Sequence, residues 1–263
     1  MNPLLHYLYN CNKKKIWIIY LGFITISLIL LFNFMGSAKH MTPMKQNVIL
    51  VLFILLFTIT VFSIGLIAVS SFRRMLKNSM IRYTAIPAKK YIYANLLFFT
   101  IMVVLLSLIA LGFVHFFSLD IYGKNTNGEI QRAMQYFYKF GLLHHFFSIF
   151  LWVIDITGFL VSIYLIIAII KLFDVNSLLS KVLFIFFFLL LGVIQFFITT
   201  LLEKMDKYIF STQHIGFIDK NGFFETSFYI NEGASISYIC FVLLSTFLFI
   251  FIASYIIDKK LEV

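Results

Sequence analysis

Residues 73–90, Arg73 to Lys90, read RRMLKNSMIRYTAIPAKK. The stretch carries six basic residues and no acidic one, and a long apolar run stands on either side of it. Its reading decides the fold, because two apolar runs joined by a short basic connection are two membrane spans joined by a loop. The rest of the chain agrees. Of 263 residues, 62% are hydrophobic and 12% charged, whereas soluble domains are roughly half apolar and about a quarter charged. This balance excludes a soluble enzyme and implies an integral membrane protein.

A helix that crosses a bilayer needs about 20 mostly apolar residues. Six stretches qualify: Ile16–Gly36, Asn47–Phe72, Tyr91–Phe117, Leu142–Ile170, Val182–Leu202 and Ala234–Ile257. They are too long and too evenly apolar to be strands, and a helix satisfies its own backbone where water is absent. The expected fold is therefore an all-α integral membrane protein with six transmembrane helices. The first stretch follows Lys13–Lys15 and precedes Gly36-Ser37-Ala38, as in a secretory signal. Signal cores hold about 7–15 apolar residues, so this longer run reads as a retained span.

Six spans place both termini on the side of the 73–90 segment. Thirteen of the 21 Lys and Arg residues then fall on that side, with only Asp174, Asp258 and Glu262 among the acids. Seven acids fall on the opposite side, and Asp155 lies within a span. The basic excess marks the cytoplasmic face of a bacterial plasma membrane. It suits anionic lipid or a protein partner and requires no nucleic acid.

Within the opening stretch, Phe72, Met75, Leu76, Met80 and Tyr83 share helical i, i+3, i+4 spacing, and Arg73, Arg74, Lys77 and Arg82 lie mainly on the other face. That pattern predicts an amphipathic helix over 73–84. Pro87 then suits the first turn of the next helix. One reading is a basic loop resting on lipid headgroups. The other is a short helix whose Met75, Leu76 and Met80 ridge fills a groove in a cytoplasmic protein.

With six spans, both ends inside and this basic helix between spans two and three, the chain resembles the permease subunit of type-2 ABC exporters. The element Ile86-Pro87-Ala88-Lys89-Lys90-Tyr91 is similar to the one that opens the third span in that family. Size and Phe content are most like permeases of small Gram-positive peptide exporters, those of the phenol-soluble-modulin type among them. The resemblance implies that 73–84 is a coupling helix, with Arg73, Arg74, Met75, Leu76, Lys77, Met80, Arg82 and Tyr83 as contacts to a separate ATP-binding subunit. That subunit would hold ATP and Mg, a second permease chain, alike or different, would complete the path, and this chain would bind no cofactor. It also implies that Met1–Asn12 is an interfacial helix, with Asn2 as cap, Pro3 in the first turn and Leu4, Leu5 and Leu8 as its apolar edge. The implied cargo is an amphipathic peptide, with a drug or lipid as rivals. Two features depart from the family: the external loops Ser118–Gly141 and Glu203–Gly233 are long, the second with an Asn221-Gly222 turn signal.

No G-x-x-x-x-G-K-[ST] phosphate loop occurs among these residues, so the chain carries no ATPase site of its own. His144-His145 is the one histidine pair and reads as an interfacial feature, without the further ligands of a metal site. Cys11 and Cys240 read as free thiols. Asp155 is the one acid inside a span, where a charge at the bilayer centre costs about 3 kcal/mol. It reads either as a contact on the substrate path or as a hydrogen-bond tie to a Ser, Thr or Tyr of a neighbouring helix. An ion-coupled carrier would show internal repeats and more intramembrane charges. A membrane enzyme would need a nucleophile, an acid–base pair or a metal set at matching depth. A non-transporting immunity or sensor protein would share the permease shape.

Overall fold

A computed structural model describes residues 2–36, 43–77, 87–122, 142–173, 176–205, 208–211 and 233–260. The described residues form six long helices: α1 (Asn2–Gly36), α2 (Pro43–Lys77), α3 (Ala88–Tyr122), α4 (Leu142–Lys171), α5 (Ser177–Met205) and α6 (Ile236–Lys260). All six are long and apolar enough to cross a membrane. The chain is thus a multi-pass membrane protein whose helices match the six expected spans. A small antiparallel ribbon, β1 (Tyr208–Ser211) with β2 (Gly233–Ser235), joins the ends of the 212–232 segment. The Asn221-Gly222 turn itself lies outside the described residues, as do 123–141.

Helix starts follow local chemistry. Pro43 opens α2 and Pro87 directly precedes α3, positions where a missing N–H is harmless and the fixed φ suits a first turn. Asn176 caps α5, its side-chain oxygen accepting from the Leu179 amide at 2.9 Å.

Two expectations change. Residues 2–12 are not a separate interfacial helix, because α1 runs unbroken from Asn2 to Gly36. Its buried stripe, Leu8, Asn12, Ile16, Phe23, Ser27, Leu31 and Phe34, keeps one helical period throughout. Nor does a new helix begin at Arg73, because α2 continues to Lys77. Its bundle face runs Ile64, Ala68, Phe72, Met75, so Met75 extends the same stripe rather than starting another. At 1.5 Å per residue, a 35-residue helix measures about 52 Å. That exceeds the ~30 Å hydrocarbon layer, so α1, α2 and α3 tilt or project beyond it.

α1, α2 and α3 pack mutually around an aromatic knot. Phe34 and Phe53 each meet Phe117 edge-on, at 5.2 and 5.4 Å between ring centroids, and Phe23 meets Phe113 at 6.3 Å. Lipid tails are as apolar as these side chains, so close packing rather than water exclusion holds such helices together. Aromatic pairs of this geometry add about 0.5–1.5 kcal/mol each. α4 is the central post, with half of its span buried, and α6 packs along it most extensively. Gly158 lets them approach: a Cβ there would stand 3.2 Å from both Thr246 Oγ1 and Val242 Cγ1. α5 lies outermost, with no buried residue in its span.

Candidate functional site

The two chemically distinctive places are the basic end of the bundle and the Asp155 contact. At the basic end, Arg73 and Arg74 are exposed on the last turns of α2. Met75 and Leu76 are 4% and 8% exposed and belong to the hydrophobic core. The apolar ridge assigned to a docked partner is therefore spent inside the bundle at these two positions, and the arginines remain on its surface. Lys77 ends α2; its side chain and Met80, Arg82 and Tyr83 lie outside the described residues.

Both ends of the connection from α2 to α3 are held by other helices. Lys171, the last residue of α4, donates from Nζ to the Leu76 carbonyl at 3.2 Å. That carbonyl belongs to the unsatisfied end of α2, where a cation also suits the helix dipole. Asp258, in the last turn of α6, accepts from the Ala88 amide at 2.8 Å. Ala88 opens α3, and a carboxylate at a helix N-terminus satisfies a free N–H and meets the positive dipole end. The adjoining turn is closed by Lys90 N–H donating to the Pro87 carbonyl at 2.9 Å. The basic connection is thus tied to α4 at one end and to α6 at the other.

Sequence reasoning missed both ties, although one carried a signal. An acid in the last turn of a helix opposes its own dipole. Asp258 beside Lys259 and Lys260 therefore pointed to a partner outside α6. The same end holds a third link, with Asn12 of α1 donating from Nδ2 to Leu8 O and to Ser71 Oγ of α2, each at 2.9 Å.

Asp155 sits at the α4–α6 contact. Tyr238 near the start of α6 donates its hydroxyl to Asp155 Oδ1 at 2.8 Å. Counting back along α4 from Lys171, Asp155 lies about 24 Å from the basic end, beyond the bilayer midplane. Polar contacts continue from there. Thr157 Oγ1 lies 3.3 Å from Thr100 Oγ1 of α3, and Gln195 of α5 donates to Ser162 Oγ at 3.5 Å. This polar seam ties α4 to three neighbours. Most buried Phe side chains pack the bundle, Phe72 stacking on Tyr164 at 4.2 Å. Among the described residues, Asn95 Oδ1, Tyr164 Oη and Ser27 Oγ are buried without a hydrogen-bond partner. Among the described residues, Asp155 is brought near none of the predicted coupling residues Arg73, Arg74, Met75 and Leu76; the two places stand at different depths, joined through α4 and α6. No family model matches the chain, and neither a curated protein nor a solved structure is significantly similar to it.

Proposed function

We propose that the chain is the membrane-spanning subunit of an ATP-driven exporter, with ATP and Mg bound by a separate ATP-binding subunit and the path completed by a second permease chain. The observation that carries this reading is the double attachment of the basic connection between α2 and α3. A force applied to that connection reaches α4 through Lys171 and Leu76, and reaches α6 through Asp258 and Ala88. These are the two helices that pack most extensively and that meet again at Asp155 and Tyr238. A motor docked on the connection would therefore move the α4–α6 pair against α1, α2 and α3. The basic excess puts this end in the cytoplasm, with both termini. The cargo is an amphipathic peptide leaving the cell, and no residue of this chain performs covalent chemistry.

The docking contacts are Arg73 and Arg74 together with the segment reaching Met80, Arg82 and Tyr83. Met75 and Leu76 support that segment from inside the bundle. The test is purification of the tagged chain from the organism that makes it, alongside Met80→Glu. A subunit carrying a phosphate-binding loop is expected to accompany the wild type and to be lost with the variant. Its absence under several mild detergents would overturn the reading.

A further inference from the structure

The lipid-facing stripe of α2 ends in a cation that turns back toward the bilayer. Arg73 is exposed, and its guanidinium carbon stands 5.9 Å from the centre of the Phe184 ring on α5. Lys181, also exposed, lies three residues before Phe184, on the same face of α5. Two cations from two helices thus flank one place at the basic end. Deeper along that face, Phe188 stacks on Phe184 with rings 6.2 Å apart, and meets Phe159 of α4 edge-on at 5.8 Å. Phe159 and, on α2, Phe62 remain exposed at 50% and 64%. The pattern is cationic at the depth of the headgroups and aromatic at the depth of the acyl chains, along the half-buried face of α5 that looks toward α4.

We propose that the α2–α5 face holds an anionic phospholipid of the leaflet at the basic end, its phosphate between Arg73 and Lys181 and an acyl chain along Phe184, Phe188 and Phe159. Charge complementarity selects this occupant. A second copy of the chain would bring the same two cations toward its partner's basic end, and a zwitterionic lipid would leave them unneutralised. Arg presents a planar fork that suits phosphate oxygens, and its stacking on Phe184 fixes that fork in place. Both long side chains can keep their charges at the interface while their stems lie against the rings. Basic pockets between spans are a recurrent binding site for such headgroups. Arg73 is shared with the proposed docking contacts, and the test separates the two roles because it uses the chain without an ATP-binding subunit.

The test uses the full chain in nanodiscs of phosphatidylcholine with and without phosphatidylglycerol, read by thermal unfolding. Wild type is expected to gain stability with phosphatidylglycerol, and R73Q/K181Q is expected to lose most of that gain. K14Q/K15Q removes the same charge at the same end and is expected to keep it. Equal behaviour in pure phosphatidylcholine checks that all three chains fold. The proposal is overturned if R73Q/K181Q keeps the gain, if K14Q/K15Q loses as much, or if the gain appears only with a change in oligomer size.

Discussion

Asp258 and Ala88 are 170 residues apart in sequence, yet the carboxylate of one caps the helix that the other begins, at 2.8 Å. This contact sets one boundary of the basic connection, and it divides helix end from helix start by a single hydrogen bond.

Asp258→Ala removes the cap and leaves the Ala88 amide without its partner. The loss is expected to be about 1 kcal/mol of local stability. Asp258→Asn keeps an oxygen acceptor and is expected to stay close to wild type. Hydrogen exchange over residues 88–92 checks this, with faster exchange in the alanine variant only.

Asn12→Leu removes the link between α1 and α2 and strands Ser71 Oγ in a buried site. A stability loss of about 1–3 kcal/mol is expected from that unsatisfied group. The paired change Asn12→Leu/Ser71→Ala removes both partners and is expected to recover part of the loss. Thermal unfolding of the single and double variants in one detergent measures it.

Tyr238→Phe leaves Asp155 with no donor from α6, whereas Asp155→Asn keeps an oxygen that Tyr238 can reach. The first is therefore expected to lower stability more than the second, by about 1–2 kcal/mol. If Asp155→Asn retains normal export at normal expression, the contact is a tie between helices and the charge has no part in transport. Loss of export at normal expression would place the carboxylate on the path.

Gly158→Leu is expected to force α4 and α6 apart, because even a Cβ meets two side-chain atoms at 3.2 Å. Overpacking of this kind costs typically about 1–3 kcal/mol. Gly158→Ala needs only small shifts of Thr246 and Val242 and is expected to be milder. Thermal unfolding ranks the two.

Much of this architecture was legible from length and polarity. Twenty apolar residues in a row have one stable form in lipid, so the six helices followed directly from composition along the chain. Pro87 marked where α3 opens. The places that misled share one cause. Leu8, Met75 and Leu76 recur at helical spacing, and that spacing says only that they share a face. It does not say whether the face meets its own bundle, a membrane surface or another protein. The bundle covers all three, so the N-terminal segment joined α1 and the start of the expected coupling helix joined α2. Asp155 was visible as an anomaly, and a tyrosine was among its expected partners. Tyr238 itself could not be singled out, because the depth at which α6 begins depends on how six helices stack.

The most direct test of the central claim is ATP-dependent uptake of an amphipathic peptide into inside-out membrane vesicles bearing the chain and the proposed ATP-binding subunit. Wild type is compared with Lys171→Met/Asp258→Ala, which cuts both ties of the basic connection. The account predicts that the variant still binds the subunit and hydrolyses ATP, while uptake per ATP falls several-fold. Unchanged uptake per ATP would contradict transmission through α4 and α6, and uptake that needs no ATP in the wild type would contradict the exporter itself.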